Sequence, residues 1–296
     1  MSVRETFIRD TRPPREAPPA GSWDCQVHVY GEPARYPPRR HGAYAPPRAY
    51  FEDVHKMART LGLSFVSIVQ ASIYGTDHSA LLNALSRGSG GMLDGVTYRG
   101  IAIVDEEVSE RTLEDLHAAG VRGVRFNFWR WLNVVPTISA FRRTLERIAP
   151  FGWHARVHVT EPELLELQDE FRSVTTPIVL DHMGHLPFDG GLDQPGALIV
   201  LDLLQRNNWW LMLSHGDRNS ATESPWSDSL AFARRYYRAA PDRCIWATDW
   251  PHPEYPKKPV NDAELVELLF RQLEDPHARK RVLVDNPARL HGEKSS

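Results

Sequence analysis

Five side chains able to move protons, ligate metal or meet an oxyanion fall near the ends of short apolar runs. Gln26 and His28 stand two apart in WDCQVHVY and so share one face of a strand. His158 lies near the end of HARVHV, His182 in PIVLDHM and Asp249 in CIWATDW. A carboxylate among imidazoles suits general acid–base chemistry, in which one group takes a proton from water and returns it to a leaving oxygen. The same groups suit a divalent metal, for which three protein ligands and a water suffice. Polar groups in apolar strands are costly without partners, so their common placement points to one site rather than separate accidents. Arginines accompany them. Arg125 and Arg130 lie at the end of VRGVRFNF and in its following loop, Arg156 two residues before His158, and Arg218 in SHGDRNS. Guanidinium groups grip carboxylate or sulfonate with two parallel hydrogen bonds, so the pattern predicts an anionic small molecule as partner.

Eight runs must position these groups: 23–30, 63–71, 98–104, 121–128, 154–159, 177–183, 209–215 and 244–250. Their length and Val/Ile content predict buried strands. Amphipathic stretches fill the gaps, among them 112–120, 161–171, 224–241 and 261–274. Eight strands alternating with helices predict an α/β protein with a single (β/α)8 TIM barrel over 22–296, preceded by a flexible tail over 1–21. An open doubly wound sheet would want a Gly-rich turn after the first strand, which this chain lacks. In a barrel the long loops 31–50 and 129–137 lie at the C-terminal mouth, where sites are built. Trp129 and Trp131 in the second of these loops are candidates for a pocket wall, while Trp209 and Trp246 are read as core.

The rest of the composition narrows the class. The chain has 296 residues, 42% of them hydrophobic, and a net charge of −3, which argues against a nucleic-acid binder. No apolar run reaches a membrane span and the N-terminus lacks a signal-peptide core, so the expected location is the cytoplasm. Two cysteines, Cys25 and Cys244, exclude a disulfide framework or a cysteine zinc knuckle. Alternation turns Cys25 toward the helix layer, opposite to Gln26 and His28. No Gly-x-Ser-x-Gly elbow exists.

The stretches DCQVHVYG (24–31), VQASIYGTD (69–77), GVRFNF (123–128), LDHMGHLP (180–187), ATDWPHP (247–253) and NPARLHG (286–292) resemble the amidohydrolase superfamily. In particular they resemble its branch of 2-pyrone-4,6-dicarboxylate hydrolase and related lactonases. The resemblance implies a barrel hydrolase that opens a cyclic ester with water. It places Asp249 as general base, His28 and His182 with Gln26 as carbonyl-polarising groups, and His158 as their assistant. It carries over to Arg125, Arg130 and Arg218 as substrate contacts, with Tyr44 and Ser72 beside them. Arg156 stands where related lactonases often carry an amide and so marks a different substrate.

Two departures bear on metal. Metal-using members present His-x-His on the first strand, where this chain has Gln26-Val27-His28, and binuclear members carry a fourth-strand Lys that is missing here. The expectation is therefore catalysis without cofactor, the alternative being one Zn2+ on His28, His158, His182 and Asp249. The substrate class is an anionic lactone of the carboxylated pyrone, muconolactone or sugar-acid type. A sugar-acid lactone isomerase and a zinc-dependent lactonase or decarboxylase are the rival activities. The assembly is a monomer or homodimer.

Overall fold

Parallel strands and outer helices alternate along the chain, as the apolar rhythm predicts. The computed structural model describes residues 5–39, 43–88 and 91–293. The barrel strands are β1 (Trp23–Val27), β2 (Phe65–Val69), β3 (Val96–Ala102), β4 (Val121–Asn127), β5 (His154–His158), β6 (Ile178–Leu180), β7 (Trp209–Leu213) and β8 (Cys244–Trp246). Each pairs in parallel with the next, and a two-residue strand, Met92–Leu93, runs antiparallel beside β3. The ring closes beyond the end of β8: Val27 bridges Trp250, and backbone hydrogen bonds run from His28 N to Trp250 O (2.7 Å) and from Asp249 N to Gln26 O (3.0 Å). The expected TIM barrel is what forms.

Helices α1 (Phe51–Leu61), α2 (Ser79–Leu85), α3 (Glu110–Ala118), α4 (Ile138–Ile148), α5 (Glu161–Arg172), α6 (Pro195–Leu204), α7 (Ser229–Ala239) and α8 (Asp262–Gln272) surround it. Their starts are chemically marked. Ser109 accepts from Thr112 N and Thr137 from Ala140 N, while Thr160 and Glu163 form a reciprocal capping box. The C-terminal segments α9 (Pro276–Lys280) and α10 (Asn286–His291) seal the barrel floor, where His291 stacks on Trp23 at 4.6 Å between centroids. Among the described residues no helix is long and apolar enough to cross a membrane.

Two expectations change. The register of β1 against β2 shifts between Asp24 and Val27, as at a β-bulge. The extra residue breaks strict alternation. Cys25 therefore packs inside the barrel with Val179, Trp210, Met212 and Ile245, and not in the helix layer, although Gln26 also faces inward. The N-terminal stretch lacks regular structure but lies against the barrel. Phe7 is buried on Trp250 at 4.7 Å, Thr6 donates to Pro251 O, and Arg12 pairs with Glu267. One buried aromatic and these polar anchors hold it there.

Candidate active site

The polar strand ends meet at the C-terminal mouth, and the backbone turns sharply to aim them. His182, His215 and Asp249 have φ of 55°, 59° and 65°. These left-handed conformations cost of order 1–3 kcal/mol each for non-glycine residues and concentrate at functional sites. All three side chains are buried, and their ligand atoms, one from each, lie within 4.8 Å of one another.

Asp249 is the hub. Its Oδ2 faces His215 Nε2 at 2.7 Å, and its Oδ1 accepts from Gln26 Nε2 at 2.8 Å and lies 3.4 Å from His28 Nε2. Gln26 Nε2 also meets His182 Nε2 at 2.9 Å. Burial alone would raise the carboxyl's pKa, but His182, His215 and the hydrogen bonds from His215 and His28 overcome it and hold Asp249 well below the usual range. The carboxylate therefore stays ionised, instead of being lifted toward neutrality by an apolar wall. Burial pushes His158, His182, His185 and His215 below the ordinary imidazole value. These rings are neutral at neutral pH.

The hydrogen bonds set the tautomers. His28 Nδ1 donates to the Val69 carbonyl at 2.8 Å, which turns its Nε2 toward Asp249 Oδ1 at 3.4 Å. Gln26 donates to His182 Nε2, so His182 Nδ1–H turns to Ser214 Oγ at 2.8 Å. His182 Nε2 thus carries no proton of its own and lies 3.8 Å from the Asp249 carboxylate. A ring nitrogen without a proton cannot stabilise an oxyanion, so the carbonyl-polarising role expected of His182 does not follow from this geometry. An acceptor-rich centre of neutral imidazole and carboxylate is what a divalent cation requires. His215 adds a buried Nδ1 with no hydrogen-bond partner.

The expectation of a cofactor-free site is corrected on these grounds. His182, His215 and Asp249 form one metal-capable set, and His158, His182 and His185 a second. Each set offers three donors of the kind that a zinc-type ion takes. The ligand sets also differ from the alternative expected from sequence, since His215 and His185 enter and His28 belongs to neither set. His215 ends the seventh run just as His158 and Asp249 stand near the ends of theirs, and that position was the available signal.

The substrate candidates separate. Arg125, Arg218, Tyr44 and Ser72 line the cavity with His28, His158, His182, His185, His215 and Asp249. Arg125 Nε donates to buried Asp181 at 2.9 Å, and both Arg218 Nη atoms donate to the carbonyls of Pro253 and Glu254. Tyr44 shares a hydrogen bond with Tyr30 and stacks on Trp131, and Trp131 meets Trp129 at 5.2 Å. Arg130 does not reach the cavity: the short helical turn Arg130–Leu132 throws it outward onto Glu166 of α5. Arg156 does not reach it either, being fully buried beneath Gln26. The cavity is narrow, with a free volume of about 40 Å³. A larger groove of about 900 Å³ between the N-terminal stretch and α7–α8 contains none of the histidines.

This arrangement, a metal-capable His/Asp centre at the mouth of a parallel barrel, is that of a metal-capable hydrolase class. The chain belongs to the amidohydrolase family, whose model matches residues 23–292. It is 32% identical to a 4-sulfomuconolactone hydrolase of Hydrogenophaga intermedia, over 95% of this chain and 92% of the relative. It is 33% identical to a 2-pyrone-4,6-dicarboxylate hydrolase of Comamonas testosteroni, over 92% of this chain and 90% of the relative. An Agrobacterium tumefaciens protein solved in its apo form superposes with a TM-score of 0.83 at 29% identity, covering 96% of this chain and all of that one. A Burkholderia multivorans amidohydrolase of the same fold holds zinc (TM-score 0.66, 19% identity, 92% of this chain and 99% of that one).

Proposed function

We propose that this chain hydrolyses the ring ester of an anionic lactone, carboxylated or sulfonated. The observation that carries the reading is the convergence of Asp249 with neutral imidazoles beside a cavity that Arg125 and Arg218 border. A zinc-type ion on His182, His215 and Asp249 would supply Lewis-acid polarisation of a carbonyl or acidification of water.

The chain's own residues account for the remaining work. Arg125 and Arg218 hold the acidic group and fix the ring's orientation, which removes entropy from the barrier. Trp129, Trp131 and Tyr44 form an aromatic wall for the ring. Asp249, held ionised by its neighbours, accepts the proton of an attacking water. The water oxygen bonds to the ring carbonyl carbon, the ring C–O bond breaks, and the proton passes to the freed oxygen. Trp131, 42% exposed, is the wall with solvent behind it. Retention of an acid at position 249 favours water activation over internal acyl transfer.

The test is a panel of anionic lactones offered to metal-stripped and zinc-loaded protein, with acid release and tryptophan fluorescence followed together. Acid release from a carboxylated or sulfonated lactone by the loaded protein supports the reading. No release from any lactone by either form overturns it.

A further inference from the structure

Arg156 is the largest buried charge that the scheme above leaves unused. It is 0% exposed and lies on the inner face of β5, in register with Arg125 of β4 and Val179 of β6. Its Nη1 donates to the Cys25 carbonyl at 2.5 Å and reaches Gln26 Oε1 at 3.4 Å. These acceptors lie on consecutive residues within the irregular part of β1, where the register slips. Among the described hydrogen bonds, no other donor reaches Gln26 Oε1. On the far side of the same amide, Nε2 donates to Asp249 Oδ1 and meets His182 Nε2.

A primary amide has two faces that differ only in which atom is oxygen. Flipping Gln26 would set its oxygen against the Asp249 carboxylate and a lone pair of His182. It would also set its NH2 against the N–H groups of Arg156. Asp249 repels one orientation from above and Arg156 repels it from below. Without the guanidinium, Oε1 would lie buried and unpaired, which removes the preference that holds the amide in one orientation.

We propose that Arg156 is a positioning residue that clamps the β1 irregularity and fixes the Gln26 amide, so that Gln26 presents its N–H groups to Asp249 and, where no ion occupies its Nε2, to His182. It acts from beneath the site and touches no substrate. The proposal rests on the reading that Asp249 and Gln26 belong to the reacting centre. One atom, Nη1, meets both acceptors, and the planar guanidinium that carries it is also held through Nε, 3.4 Å from His154 Nε2; a lysine ammonium on a flexible stem has no such plane to fix it.

The experiment combines Arg156→Lys, which keeps the buried charge, with Gln26→Met, which removes the amide. The spectroscopic arm needs no substrate: the Gln26 side-chain NH2 signals are assigned by their loss in Gln26→Met, and their deuterium exchange is measured. Arg156→Lys should speed that exchange. With the best acidic lactone of the panel, it should lower kcat about tenfold, the scale of lost supporting hydrogen bonds, while KM holds. In the Gln26→Met background it should have little further effect, because both changes act through one amide. Unchanged exchange in Arg156→Lys, or kcat losses that multiply in the double variant, overturns the clamp. Wild-type kcat in Gln26→Met alone would instead overturn the placement of Gln26 in the reacting centre, and the clamp's functional role with it.

Discussion

The barrel buries histidines at both ends of its axis, and only one end holds the means of reaction. At the floor, His291 Nε2 meets Ser67 Oγ at 3.0 Å, its Nδ1 donates to Pro287 O, and His154 packs edge-on against it at 5.0 Å. Burial, followed by the charge of Arg156, pushes His291 down to about 3, and burial followed by His291 lowers His154. At the mouth the imidazoles are equally neutral, but Asp249 stands among them, left-handed backbone aims three of the groups, and a cavity opens beside Trp131. Burial of imidazole is therefore no sign of activity by itself. The sign is neutral imidazole with an ionised carboxylate and an opening to solvent.

Substitutions at the two ends break or sharpen that contrast. Asp249→Asn should lower kcat by about 10³-fold, since it removes the proton acceptor, while the melting temperature holds. Initial rates and calorimetry check both halves. His215→Ala should weaken zinc binding and kcat/KM by about a hundredfold or more, read by chelator competition and kinetics. His291→Ala should leave kcat unchanged and cost about 2–4 kcal/mol in denaturant unfolding, from lost packing on Trp23 and an orphaned Ser67 hydroxyl. The smallest effect is a pH slope. The folded value of His291 lies below its ordinary 6.5, so the unfolded chain binds more protons in the acid range. Its contribution is complete above about 6.5 and disappears as pH falls toward 3. Unfolding free energy should therefore decline on acidification from pH 7 to 5, less steeply in His291→Phe.

Much of this was legible from residue order. Apolar runs of strand length, separated by capped amphipathic stretches, specify the barrel, and Trp209 and Trp246 are buried as expected. Gln26, His28, His182 and Asp249 were found because polar residues in buried strands need a common reason. The misses share a physical cause. Alternation gives the face but not the depth. Arg156 shares an inner face with His158 yet lies two residues deeper, about 6.6 Å along the strand. Alternation also stops where the strand does, so His185 and His215 arrive through left-handed turns that no periodicity announces. A single register slip in β1 turned Cys25 inward. The cofactor expectation weighed the missing first-strand histidine and fourth-strand lysine, whereas the fold supplies ligands from the turns after β6, β7 and β8.

The central claim is that the mouth of this barrel directs water onto a ring carbonyl. It is tested most directly by running the zinc-loaded protein with its acidic lactone in oxygen-18 water and weighing the product. The account predicts a ring-opened acid carrying one oxygen-18 atom per turnover. An isomeric lactone without label would show that the acyl group moves internally and would contradict it.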